Sequence, residues 1–132
     1  MKNLLLLAAM LLIFGSVNAQ NAKKLCGKWK GSYFCTQGET GLTLKIKGRS
    51  NGDITGTFTF YPIPSNKNPM AKSGKFSFTG TYTSGKIILT QKKWIDQPEG
   101  YLMVDLEGEL SDPKTISGKI MTPGCGDFKV VK

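Results

Sequence analysis

Asp53-Ile-Thr-Gly-Thr-Phe-Thr-Phe-Tyr61 alternates strictly, with Ile54, Gly56, Phe58 and Phe60 on one parity and Thr55, Thr57 and Thr59 on the other. Period-two alternation places one set of side chains on a buried face and the other in solvent, the pattern of a half-buried β-strand. At its centre is a hydrophobic-x-Gly-x-hydrophobic unit, Ile54-Thr-Gly56-Thr-Phe58. The unit recurs as Trp29-Lys-Gly31-Ser-Tyr33, Phe78-Thr-Gly80-Thr-Tyr82, Leu106-Glu-Gly108-Glu-Leu110 and Ile116-Ser-Gly118-Lys-Ile120. A glycine sharing the inward parity of its large neighbours lets a strand coil sharply and leaves room for a facing aromatic ring. Repeated on five strands, that is what tight curvature and closure of a sheet require.

Working outward, the alternation predicts eight strands: Gly27–Cys35, Leu42–Gly48, Asp53–Tyr61, Gly74–Tyr82, Lys86–Trp94, Leu102–Leu110, Thr115–Met121 and Asp127–Val131. Turn formers separate them, among them Asn51-Gly52, Ser84-Gly85, Asp112-Pro113 and Pro123-Gly124. No stretch of the mature chain carries a sustained helical stripe. The expected fold is all-β, a small eight-stranded antiparallel up-and-down barrel, with a β-sandwich as the alternative. The inward set runs from Trp29 to Val130 and includes Leu102, Val104 and Leu110. So many bulky residues favour a filled barrel over a deep cavity.

The first residues read as a targeting segment. Lys2 supplies a positive start, Leu4 to Phe14 an apolar core, and Val17-Asn18-Ala19 a small-residue cleavage site. The apolar run is too short to span a bilayer, and Lys23-Lys24-Leu25 before Cys26 lacks the small residues of a lipid-attachment signal. The reading is therefore a signal peptide over residues 1–19 and a single barrel domain over residues 20–132. The protein is expected to be secreted or periplasmic after cleavage near Ala19, with no transmembrane segment. Loss of Lys2 leaves 17 basic against 9 acidic residues, a balance that suits anionic partners.

In a meander, alternate connections share one end of the barrel. The expected connections Thr36–Gly41, Pro62–Ser73, Ile95–Tyr101 and Thr122–Gly126 therefore cluster at one mouth, opposite an end of tight turns. Loops displayed together on a rigid scaffold are the usual place for recognition, and the candidate binding residues there are Gln37, Tyr61, Trp94, Asp96 and Tyr101. Trp94 and Tyr101 either plug the mouth or offer flat faces to a ligand. Three cysteines in an oxidising compartment imply one disulfide and one free thiol. Closure makes the first and last strands neighbours, which points to Cys35–Cys125 and leaves Cys26 over. If Phe128 faces inward, Cys125 has the wrong parity, and a bulge at Gly124 or Gly126 would be needed. On the outside, Lys28, Lys30, Lys45, Lys47 and Lys129 share outward parity on strands that closure makes adjacent. They form a basic wall, while Asp105, Glu107 and Glu109 lie on the sixth strand.

The chain has no histidine, which removes the commonest general base and the commonest metal ligand. The cysteine spacing forms no zinc motif, no phosphate-binding Gly loop precedes a helix, and Asp96 with Glu99 is the only loop carboxylate pair. Neither a catalytic residue, a metal nor a cofactor is expected. Nucleic acid is an unfavoured partner, because the outward positions between the lysines are mostly Ser, Thr or Val rather than stacking aromatics.

The run Trp29-Lys-Gly-Ser-Tyr33-Phe-Cys35-Thr-Gln37-Gly-Glu-Thr40-Gly41-Leu42-Thr-Leu44, with Trp94-Ile-Asp-Gln-Pro98-Glu-Gly100-Tyr101 and the late Cys125, resembles a family of small exported bacterial β-barrel domains without an assigned activity. The Ala19-Gln20-Asn21 junction is similar in style to Bacteroidetes signal peptides. A weaker resemblance of fold links Gly27-Lys28-Trp29, Gly56-Thr-Phe58 and Gly80-Thr-Tyr82 to avidin-like barrels of the calycin type, although the later Trp-rich biotin segment is missing. Tyr33-Phe-Cys35 and the late cysteine resemble periplasmic lysozyme inhibitors of the barrel type. Those bind a basic enzyme, which a strongly basic chain matches poorly. The expectation is a non-enzymatic exported binding domain that recognises an extracellular or periplasmic glycan or small molecule through the loops at one barrel end. The alternative is a protein-interaction or inhibitor domain using the same loops or the basic wall.

Overall fold

The computed structural model describes residues 18–64 and 71–132. The expected signal peptide, but for Asn18 and Ala19, lies outside the described residues, as does the middle of the connection after Tyr61. Eight strands follow one another in sequence: β1 (Gly27–Cys35), β2 (Gly38–Gly48), β3 (Asp53–Tyr61), β4 (Gly74–Thr83), β5 (Lys86–Asp96), β6 (Leu106–Asp112), β7 (Thr115–Ile120) and β8 (Asp127–Val131). Each pairs antiparallel with the next, and β8 returns to β1 through pairs from Lys30↔Val131 to Tyr33↔Phe128. The sheet is a closed up-and-down barrel, so the sandwich alternative does not hold.

The five repeated glycines are where the strands press together. At Gly31, Gly56, Gly80, Gly108 and Gly118 alike, an added Cβ would fall within 3.0 Å of a carbonyl oxygen on the neighbouring strand. None of the five is buried. The strands coil so tightly there that the Cβ direction points along the sheet rather than into the core. The aromatic part of the expectation holds at Gly56, beside Phe78, and at Gly108, beside Phe128. Large side chains fill the interior, with Trp29, Phe58, Phe76, Phe78, Leu44 and Leu106 all fully buried.

One end is sealed by the chain before β1. Ala19 bridges to Thr83, Gln20 N–H donates to the Tyr82 carbonyl at 2.9 Å, and Ala22 N–H donates to the Arg49 carbonyl at 2.8 Å. A single 3-10 turn, Lys23–Leu25, then drops Leu25 into the barrel, where its carbonyl accepts from Trp29 Nε1 at 2.9 Å. Apolar residues at two positions, Ala22 and Leu25, thus close the end that carries the tight turns.

Three expectations need correction. The first connection is a two-residue turn, Thr36-Gln37, because Gly38 adopts φ +91° and pairs with Cys35. The sixth strand starts at Leu106 rather than Leu102, and Leu102 is 80% exposed instead of inward. Its cause lies in β5, which carries irregularities at Lys92 and Ile95 and continues to Asp96. Those bulges turn the strand away, so β5 pairs with β6 only through Ile87, Ile88 and Leu89. The third long connection therefore occupies residues 97–105.

Candidate functional site

With one end plugged and the third connection drawn off the wall, space remains at the other end. A cavity of about 540 Å³ opens there. Its inner wall is Tyr33, Phe58, Phe60, Phe76, Tyr101 and Val104, and its rim is Thr36, Gln37, Leu102, Thr122 and Pro123. The strand residues arrive by parity, since Tyr33, Phe58, Phe60 and Phe76 are inward positions at the mouth ends of β1, β3 and β4. The rings brace one another. Phe58 stacks on Phe76 with centroids 4.6 Å apart and receives Tyr33 edge-on at 5.2 Å, and Tyr101 stacks parallel on Phe60 at 5.3 Å. Such pairs are worth about 0.5–1.5 kcal/mol each beyond their buried area.

The disulfide forms between Cys35 and Cys125 as expected. The parity conflict disappears because Cys125 is not in a strand. It sits in a turn, its N–H donating to the Thr122 carbonyl at 3.1 Å, while Gly126 N–H donates to the Phe34 carbonyl at 2.8 Å. The bond and these turns hold Thr122 and Pro123 over the rim. Cys26 is free at the opposite end, its thiol exchanging hydrogen bonds with Gly48 N–H and C=O.

The two phenols of the mouth and the Gln37 and Gln97 amides are engaged with the protein. Gln37 Nε2 donates to Tyr33 Oη at 3.1 Å. Thr40, in hydrogen-bonding contact with the same phenol, donates to the Gly38 carbonyl at 3.2 Å. Tyr101 Oη accepts from Lys72 N–H at 3.0 Å, and Gln97 Nε2 donates to the Tyr101 carbonyl at 3.3 Å. Among the described residues no charged side chain lines the cavity. Burial, helped by the neighbouring Tyr101, pushes the Tyr33 hydroxyl well above the ordinary phenol range, against the lowering effect of Gln37 and Thr40.

Of the five candidate binding residues, Gln37 and Tyr101 line the cavity. Trp94 stands behind it, half-buried and edge-on to Phe60 at 6.1 Å and Phe76 at 5.5 Å. Tyr61 does not belong to the site. Its outward parity lays the ring over Gly41 on the outer wall, with Oη 3.0 Å from Thr43 Oγ1. Asp96 also falls outside the lining, exposed at the end of β5. Phe58, Phe60, Phe76 and Val104 read in the sequence only as core, and no signal there separates a core ring from a cavity ring.

The five wall lysines are all exposed. Lys28 lies directly opposite Lys45, Lys30 opposite Thr43 and Val131, and Lys129 opposite Ser32. The one ion pair among the described residues, Lys86–Glu107 at 2.6 Å, is on β5 and β6. It borders a hollow of about 400 Å³ on the outer wall over Gly108 and Gly118. Among the described residues no group of three His, Cys, Asp or Glu side chains is placed to hold a metal ion, and no helix is long and apolar enough to cross a membrane. Comparisons with family models, with curated proteins and with solved structures found no match to this chain.

Proposed function

We propose that this protein is an exported binding domain that holds a small, uncharged, chiefly apolar molecule in the barrel mouth and performs no chemistry on it. One observation carries the reading: a cavity of about 540 Å³ walled by aromatic rings, with no charged side chain in its lining among the described residues and with the Tyr33 and Tyr101 hydroxyls engaged by Gln37 and Lys72. That volume lies within the roughly 300–1,000 Å³ of small-molecule sites. Between the two ligand classes expected from sequence, a glycan is the poorer fit. It needs open donors and acceptors to replace its water shell, and burying its hydroxyls unpaired costs free energy. A ring system or short alkyl chain needs only the apolar surface that the wall supplies. A lining built from aromatic, aliphatic and small polar side chains, in a chain with no histidine, supports holding rather than turnover. The Cys35–Cys125 disulfide supports an oxidising compartment.

The test uses an uncharged fluorescent probe, N-phenyl-1-naphthylamine, and the two tryptophans. Trp94 touches two rings of the cavity wall, whereas Trp29 is buried at the plugged end. Saturable uptake with quenching of Trp94 is expected, and Trp94→Phe should abolish the quenching while leaving uptake intact. Thr122→Phe fills the rim and should block uptake. Unchanged uptake in Thr122→Phe, or displacement of the probe by free sugars, would overturn the proposal.

A further inference from the structure

The wall lysines form a line rather than a patch. Lys47 and Lys45 follow one another at outward parity on β2, Lys28 stands level with Lys45 on β1, Lys30 comes two residues on, and Lys129 is level with Ser32 on β8. Each step of two residues is about 6.6 Å, so five cations run along roughly 20 Å of the barrel wall. The acidic residues of β8, β1 and β2 are Asp127 and Glu39, both at the mouth end, so none interrupts the row.

The arrangement works against the fold. Like charges directly opposite on adjacent strands are destabilising, and Lys28 faces Lys45. We infer that the line Lys47–Lys45/Lys28–Lys30–Lys129 is a docking track for a linear acidic polysaccharide, separate from the barrel-mouth cavity. A row of cations roughly 5–8 Å apart complements a chain bearing a carboxylate or sulfate at short regular intervals. Ser32 and Thr55, beside Lys129 and Lys47, add hydroxyls at outward positions that match sugar hydroxyls. The cations are lysines, point charges without the fork of arginine that reads phosphate in two contacts. Among the described residues no aromatic side chain stands between them to stack a base, since Phe34 lies at the mouth end opposite Glu39.

The experiment measures binding to immobilised oligogalacturonate by surface plasmon resonance, across a salt series. It compares the wild type with a track variant (Lys28, Lys30, Lys45, Lys47 and Lys129→Gln) and an off-track variant of equal net charge (Lys72, Lys75, Lys92, Lys93 and Lys114→Gln). The track variant should lose more than about tenfold in affinity and flatten the salt dependence, while the off-track variant stays within about threefold of wild type. Its melting temperature should be no lower than wild type, because a repulsion has been removed, so the loss cannot be blamed on unfolding. Equal losses in both variants would reduce the effect to net charge and overturn the inference. So would tighter, track-dependent binding to duplex DNA or to phosphatidylglycerol vesicles. Uptake of the naphthylamine probe should be unchanged in the track variant, which separates this inference from the cavity reading.

Discussion

Replacing Gly56 with alanine is the sharpest test of how this barrel closes. The added methyl group would overlap the Lys45 carbonyl oxygen by about an ångström and come within 2.6 Å of Phe78 Cζ. Neither obstacle yields easily. The carbonyl belongs to the β2–β3 ladder, where Ile46 faces Gly56 and Lys45 faces Thr57, and Phe78 is fully packed in the core. Forcing one methyl into such a site costs about 1–3 kcal/mol through displaced backbone and side chains. Loosening one or two ladder hydrogen bonds adds about 1 kcal/mol each. The expected loss is about 3 kcal/mol or more, which at roughly 4 °C per kcal/mol for a domain of this size lowers the melting temperature by about 12 °C. Gly85→Ala is the control. Gly85 sits at φ +79° with nothing within 4 Å of a new Cβ, so only the left-handed backbone strain of about 1–2 kcal/mol applies. Circular dichroism melts and urea titrations of both variants decide the matter. Adding Phe78→Leu to Gly56→Ala should recover only a minor share, since the carbonyl is the closer obstacle. If Gly56→Ala melts no lower than Gly85→Ala, the glycines do not set the strand spacing, and the barrel closes by some other means.

Two further outcomes follow from the mouth. Cys35 and Cys125 are 90 residues apart, and a cross-link closing a loop of that length stabilises by about 4–5 kcal/mol in the chain-entropy model; Cys35→Ser with Cys125→Ser should lose most of that in urea unfolding and weaken probe uptake through the freed Thr122–Gly126 turn, and stability unchanged within about 1 kcal/mol would refute it. Tyr33 is held protonated in the fold by burial, so the folded protein keeps this proton at a pH where the unfolded chain releases it; stability is therefore unaffected below about pH 10 and falls as pH rises beyond it. Tyr33→Phe should remove that alkaline loss in melts run across the range, and an identical alkaline decline in the variant would refute the assignment.

The sequence makes the wall of this barrel legible and its mouth only partly so, for a physical reason. Period-two alternation and the recurring glycine are local signals, each enforced by the strand's own geometry and its nearest ladder, and they locate β1, β3 and β8 to the residue. Whether a buried ring meets another ring or an empty space depends on chain segments remote in sequence. Phe60 is written the same way as Phe78, yet Phe60 lines the cavity at the mouth, where residues 97–105 leave the wall, whereas Phe78 does not line it. That departure follows from irregularities at Lys92 and Ile95, which no alternation rule marks. The plug at the other end is equally remote, since the segment that carries Leu25 is anchored by hydrogen bonds from Gln20 and Ala22 to Tyr82 and Arg49, far along the chain. Tyr61 and Asp96 are candidates by loop proximity alone, and proximity does not specify facing: β5 runs on to Asp96 and leaves it in solvent, and outward parity puts Tyr61 on the outer wall. The same geometry explains why hollowness sits where it does. Two apolar residues and a short turn suffice to close an end made of tight hairpins, but an end made of longer connections is closed only as far as those connections pack. Here the Cys35–Cys125 bond and the Tyr101–Phe60 stack hold two of them at the rim rather than across it. A barrel stabilised at its plugged end and braced at its rim can keep a cavity open at the mouth without losing its fold.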